Sequence, residues 1–310
     1  MRRTGALALL LLAFALVVGC SGGGPVEEAM DASAEAGSRP KAVAVATPAA
    51  EDGRESTVGV ASSDAAEDGA SAAGPFRSEP RAEGGDGFEA DTLLAVRHGA
   101  HEGFERVVLD LGAGQEPAGT VPRWTLDSPE DDSLLRVNLP SANATAVSDG
   151  GFGEGLLNSF HVVRSPEGGM FVDVLARKGF RYRVLELTGP ARLVVDFRPA
   201  GVRPKEPPPA AGGQTVLVEP RAGARVSDPL TVSGYSRNFE ASNTIVLEDH
   251  KGKTLLRETV IANDWSSTWG YFEATLNLPP IPEKKGTLSV GTESARDGSF
   301  EGVEIPVRGG

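Results

Sequence analysis

From Thr92 onward the chain is built of short apolar runs separated by turns rich in Gly, Pro and Asp. Phe104–Leu111 shows the pattern. Val107, Leu109 and Leu111 fall on one side, and Arg106, Val108 and Asp110 on the other, which is the period of a half-buried strand. The same reading predicts strands at Thr92–Arg97, Leu134–Leu139, Phe160–Arg164, Met170–Ala176, Tyr182–Leu187 and Leu193–Phe197. A second group is predicted at Thr215–Glu219, Leu230–Tyr235, Thr244–Leu247, Leu255–Ile261, Tyr271–Leu278, Gly286–Gly291 and Val303–Val307. Turn signals such as Ser165-Pro166-Glu167-Gly168-Gly169, Thr188-Gly189-Pro190 and Asp249-His250-Lys251-Gly252 stand between them. Gly99–Gly103 reads as a turn, and Gly150–Asn158 as a short helical or irregular turn. The expected fold is all-β, with two β-sandwich domains at 92–200 and 214–310. A Pro-rich linker, 201–213, joins them, and Pro207-Pro208-Pro209 makes it a stiff spacer.

Residues 1–91 read differently. Arg2 and Arg3 precede an apolar run, Leu7–Val18, which is shorter than the roughly 20 residues that span a bilayer. That layout predicts a signal peptide over 1–19, not a transmembrane helix. The run closes on Val17-Val18-Gly19-Cys20, which resembles the bacterial lipobox, and Cys20 is the one Cys of the chain. The resemblance implies a thiol that takes a diacylglycerol group, cleavage before Cys20, and a lipid anchor in the membrane. At about 0.8 kcal/mol per buried CH₂, two or three acyl chains hold stably. The expected location is extracytoplasmic, on the outer face of the cell membrane, or on the outer membrane where the cell has one.

Residues 20–91 are dominated by Ala, Gly, Ser, Glu and Asp, with no period of 2 or 3.6. Residues 21–91 carry a net charge of −10 out of −13 for the chain. A disordered acidic tether is expected there, with a span of roughly 45 Å for about 70 residues. The two β regions are nearly neutral. Neither shows along its sequence the basic stripe of a nucleic-acid binder, so nucleic acid is not expected as a partner.

Two stretches resemble known families. Val96-Arg97-His98-Gly99-Ala100-His101-Glu102-Gly103-Phe104 and Arg192-Leu193-Val194-Val195-Asp196-Phe197 resemble the opening and closing segments of the AMIN-like domain of bacterial envelope proteins. That likeness covers 92–199 and implies a localising role, by analogy through binding peptidoglycan. Further on, Val218-Glu219-Pro220-Arg221-Ala222-Gly223, Asn238-Phe239-Glu240-Ala241, Trp269-Gly270-Tyr271-Phe272-Glu273-Ala274 and Ser294-Ala295-Arg296-Asp297-Gly298 stand in the order seen in another family. They resemble the immunoglobulin-like domain of bacterial spore-germination proteins, over 214–308. This implies fold and family, not activity and not sporulation.

No Gly-rich phosphate loop and no Gly-x-Ser-x-Gly elbow occurs, and Asp131-Asp132 lies in a polar loop. No catalytic residue, cofactor or metal is therefore expected. His98 and His101 with Glu102 and Glu105 raise a metal site as an alternative, but a Gly-punctuated loop does not align them. A solvent-facing loop that touches a partner fits them better. Three strands share an apolar-Asp-apolar pattern at Asp110, Asp173 and Asp196. Alternation predicts each Asp on the outer face, with Arg106, Arg177, Arg192 and Arg198 available as ion partners. Arg221, Arg237 and Arg296 are expected to be exposed. Phe239 and Phe272 are expected in the core, and Trp265, Trp269 and Tyr271 in core and rim. The candidate ligand-binding residues are Arg97, His98, His101, Arg106, Arg221 and Arg237. The leading expectation is a non-enzymatic, lipid-anchored envelope protein that binds peptidoglycan or another envelope protein. A structural or assembly subunit of a membrane or germination-related complex is the first alternative, and a cell-wall hydrolase the second.

Overall fold

The computed structural model describes residues 74–128, 133–294 and 296–310. The signal peptide, Cys20, the tether as far as residue 73, Asp131-Asp132 and Ala295 lie outside the described residues. Strands of the first region are β1 (Arg81–Gly84), β2 (Thr92–His101), β3 (Phe104–Ala113), β4 (Glu116–Pro117), β5 (Trp124–Asp127) and β6 (Leu134–Leu139). They continue with β7 (Ala144–Thr145), β8 (Asp149–Gly151), β9 (Leu157–Arg164), β10 (Met170–Ala176), β11 (Phe180–Leu187) and β12 (Arg192–Pro199). The second region has β13 (Ala210–Gly212), β14 (Thr215–Glu219), β15 (Arg225–Val226), β16 (Leu230–Ser236), β17 (Ser242–Asp249) and β18 (Thr254–Ile261). It closes with β19 (Trp269–Leu276), β20 (Gly286–Glu293) and β21 (Phe300–Gly309). The helical turns among the described residues are two short 3-10 segments, Phe239–Ala241 and Pro282–Lys284. The fold is all-β, as the alternation requires.

Three sheets carry these strands. A six-stranded sheet runs β11-β12-β3-β2-β7, with β4 on β3. It packs on β1-β5-β6-β10-β9 around a core that includes Leu109, Leu126, Leu139, Val172, Leu193 and Phe197. A five-stranded sheet, β15-β21-β20-β17-β18, faces β19-β16-β14-β13 around Leu217, Val232, Ile245, Phe272, Leu288 and Ile305. β21 shows why: Val303, Ile305 and Val307 are buried while Glu304, Pro306 and Arg308 are exposed, one face in and one face out.

Strand pairing is present before Thr92 as well. Residues Arg81–Gly84 pair with Asp127–Trp124, and Arg77 bridges to Tyr182. The Gly- and Glu-rich composition of 74–91 hides this, because the segment adds edge hydrogen bonds and contributes few apolar side chains. The expected turn at Gly99–Gly103 is also shorter. β2 runs on through Gly99 and Ala100 to His101, so both histidines stand on a strand and not in a loop.

The two sandwiches share one sheet. β9 pairs in parallel with β19, at Trp269↔Val163 and Gly270↔Arg164, which makes a ten-stranded sheet that passes through both. A third apolar cluster covers this junction: Leu134, Val163, Phe171 and Leu175 from the first region with Val216, Tyr235 and Trp269 from the second. Polar bonds reinforce it. The Trp269 indole N–H donates to Asp149 at 3.1 Å, Asn263 donates to the Arg164 carbonyl at 3.0 Å, and Arg237 donates to the Ser148 hydroxyl at 3.0 Å. Gly270 is required here, since a Cβ would sit 1.9 Å from the Asp264 carbonyl oxygen. Asp264 in turn shapes the 264–268 turn. Burial alone would raise its pKa, but backbone N–H groups of Trp265, Ser266 and Ser267 and the Thr268 hydroxyl bring it down to about 2.

His161 lies within this junction, edge-on to Trp269 at 4.7 Å and beside Tyr235 at 5.3 Å. Burial lowers its pKa from 6.5 to about 4, against the opposing charges of Asp173 and Asp149. The unfolded chain takes up this proton near pH 6.5, and the folded chain only near pH 4. Stability contributed by the neutral imidazole is therefore complete above pH 6.5 and falls as pH drops toward 4, by about 3 kcal/mol in all. Urea midpoints measured across this range should show the decline, and His161→Gln should flatten it. An equal slope in the two proteins would assign the pH dependence to other groups.

Candidate functional site

The pattern of Asp110, Asp173 and Asp196 leads to a face of the fold rich in arginine. Each Asp does point away from its own sandwich core, as alternation predicts. Asp173 and Asp196 are nonetheless fully buried, unlike ordinary outer-face carboxylates. Asp173 lies under the junction and is bound by Arg136 through two hydrogen bonds, at 2.7 and 2.8 Å. Arg136 stacks on the Phe171 ring, 3.8 Å from its centroid. Of the four arginines expected as partners, Arg106 alone makes such a pair, with Asp196; Arg97 and Arg183 serve as well.

Asp196 and Asp110 belong to the outer face of the six-stranded sheet. The register gives its rows. Arg183, Asp196 and Arg106 stand side by side on β11, β12 and β3. The next row toward the strand ends reads Arg181, Arg198, Phe104 and, on β2, His101. The two rows on the other side hold Leu185, Val194, Val108 and Arg97, then Leu187, Arg192 and Asp110. The face thus carries six arginines and His101 against two aspartates, in a chain whose net charge is −13.

Two carboxylates compensate arginines of this face, Asp196 within its own row and Asp110 across to the next. Asp196 accepts from Arg106 at 2.6 and 3.0 Å and from Arg183 at 2.8 Å, so one carboxylate is held between two guanidinium groups. Arg97 grips Asp110 at 2.6 and 2.8 Å in a fork, and these bonds raise its pKa further. The row of Arg181 and Arg198 has no such carboxylate. Its two arginines are direct cross-strand partners in the β11–β12 pair, a position where like charges repel. Phe76 covers the middle of the face, 4.6 Å from both Arg183 and Arg198, and His101 stacks on Phe104 at 4.7 Å. The aromatic rings support the cations from one side while Arg181 and Arg198 remain exposed.

The candidate residues therefore separate. Arg97, His101 and Arg106 come together on this face. His98 points to its other side, where it pairs with Glu105 at 2.9 Å. Glu105 also accepts from the backbone of Leu156 at 2.5 Å and of Leu157 at 3.3 Å, so this pair holds the irregular 152–156 segment in place. Arg221 was expected to be exposed and is 3 % exposed, with Glu219 at 3.4 Å. The whole side chain, guanidinium included, is tucked in at a turn that the sequence marks only by Pro and Gly. Arg237 is half-buried in the junction. Arg181 and Arg183 on β11 and Arg198 on β12 are not among the expected binding residues, because these two strands meet Arg106 on β3 only in the sheet. Among the described residues no group of three His, Cys, Asp or Glu side chains is placed to hold a metal ion. No helix among them is long and apolar enough to cross a membrane.

The second sandwich is a seven-stranded core of β14, β16, β17, β18, β19, β20 and β21, with β13 and β15 at its edges. Residues 215–299 match the immunoglobulin-like domain of bacterial spore germination. No curated protein and no solved structure matches the chain. This germination-type domain is a non-catalytic type, and its match stops one residue before β21, the strand seated between β15 and β20. Within the domain Phe272 is buried, as expected, but Phe239 is 70 % exposed. Glu240 and Ala241 adopt positive φ of 55° and 58°, which turns Phe239 outward onto the half-exposed Trp265 at 5.2 Å. Trp269 and Tyr235 serve the junction and not the core of the germination-type domain.

Proposed function

We propose that this chain is a lipid-anchored extracytoplasmic envelope protein that performs no chemistry of its own. It binds peptidoglycan or an envelope protein through the outer face of the six-stranded sheet. The observation that carries this reading is the segregation of six arginines onto one sheet face of an acidic chain. Such a face concentrates positive potential and draws anionic partners to it. The AMIN-like resemblance of 92–199 supports a localising role for this sandwich, and the germination-type domain supports a binding module in place of an enzyme. The lipobox at Cys20 supplies the anchor, and the acidic residues that follow it give the β domains reach from the membrane.

Two measurements test the reading. The soluble chain from Ser21 onward should sediment with isolated cell walls and be released as salt rises, since exposed charge pairs are screened. Retention in the supernatant at every salt concentration would remove wall binding from the account. In cells, Cys20→Ser should lose acylation and leave the membrane fraction. A variant that stays membrane-bound would contradict the anchor.

A further inference from the structure

We infer that the row of Arg181 and Arg198, continued into the groove beside it, is a binding site for a phosphodiester-linked polyanion. The inference deepens the proposed wall binding and rests on it for location. The first argument comes from the neighbouring row. There, two guanidinium groups on strands flanking β12 hold one carboxylate between them, that of Asp196. Two positions along β12 an Arg stands in place of the Asp, and among the described residues no carboxylate is bonded to it. Arg181 and Arg198 sit directly opposite each other, exposed, and spend folding stability on mutual repulsion. An oxyanion from outside completes this row as Asp196 completes the other.

The second argument is the extent of the site. Past Arg198 the chain continues through Pro199 into the 201–208 segment, and a hydrogen bond from Ala200 N–H to the Gly179 carbonyl ties the two sides. Here lies a groove of about 780 Å³, lined by Arg177, Lys178, Arg203 and Lys205, with Glu206 as its single acidic lining residue. Gly179 and Pro199, which line the groove, adjoin the Arg181/Arg198 row directly. The two features form one cationic strip. Pro204, Pro207 and Pro208 also line it, and their fixed φ leaves this stretch little freedom to lose on binding.

The third argument selects the ligand chemistry. A run of cations with one acidic lining residue matches a polymer that carries a fixed negative charge on each repeat and no compensating amine. A diester phosphate does so, and its tetrahedral oxygens can meet guanidinium forks from two strands at once. Peptides of the wall mix carboxylates with amines and offer less net charge over the same length.

The test uses the soluble chain from Ser21 onward and short poly(glycerol phosphate) as probe, with titration calorimetry as readout. Saturable binding is expected, with log affinity falling linearly in log salt. Arg181→Glu should weaken it by about tenfold or more while the melting temperature holds or rises, because the new carboxylate pairs with Arg198. Loss of binding together with loss of folding would instead assign Arg181 a structural role and overturn the site. Poly-glutamate of equal charge binding as tightly would overturn the phosphodiester class. Vesicles of phosphatidylglycerol that bind while the polymer does not would make the occupant a membrane surface, again overturning it. Absence of polymer binding, alongside sedimentation with walls stripped of phosphate polymers, would reject this inference and leave the proposed function standing.

Discussion

Asp196→Ala is expected to cost about 3–5 kcal/mol of stability, because it leaves buried positive charge without a partner. Asp196 is fully buried, and the two arginines that grip it are 14 % and 13 % exposed at their side chains. Without the carboxylate, Arg106 and Arg183 face each other beneath Phe76 in a setting that solvent screens poorly. A domain of ordinary stability, about 5–15 kcal/mol, would survive only marginally. Asp110→Ala is the matched control. It occupies the same apolar-Asp-apolar pattern on the same sheet face, but its partner Arg97 is 54 % exposed at the side chain. That loss should be about 0–1 kcal/mol. Denaturant midpoints of the two variants should therefore differ widely. Equal midpoints would show that burial does not govern these pairs.

Trp269→Ala is expected to be nearly as damaging, at about 3–5 kcal/mol. Trp269 joins β19 to β9, packs against His161 and Tyr235, and donates to Asp149. Its removal empties the centre of the junction cluster and unpairs a bond between the two sandwiches. Besides the lower midpoint, calorimetry should resolve two transitions where the native chain gives one, since the sandwiches then unfold without support from each other. Trp265→Ala supplies the contrast. That indole is 39 % exposed, so its loss should stay within about 1 kcal/mol and keep the single transition. A single unshifted transition in Trp269→Ala would mean that the shared sheet does not couple the two halves.

These two expectations also mark how far the sequence could be read. The strands of Leu109, Val172, Leu193 and Phe272 were legible because alternation and turn residues act locally, within a few positions of each other. The germination-type domain was legible for the same reason, since its motifs are short and ordered. What was hidden depends on contacts between distant strands. Alternation placed Asp173 and Asp196 away from the core correctly. It could not reveal that the outer faces are themselves covered, one by the second sandwich and the other by Phe76 and long arginine side chains. The arginine face has no counterpart along the chain either. Arg106, Arg181 and Arg198 become neighbours only through the register of β3, β11 and β12. Phe239 departs from the core position that its aromatic side chain predicts. Only the left-handed backbone at Glu240 and Ala241, which no residue type there signals, turns it outward.

Hydrogen exchange of the soluble chain in the presence of solubilised wall fragments tests the central claim most directly, because it reports which face is covered. The account predicts slowed exchange over β11, β12 and the adjoining 199–208 segment, lost on Arg181→Glu. Protection confined to residues 215–299, with the arginine face exchanging as in the free protein, would contradict it.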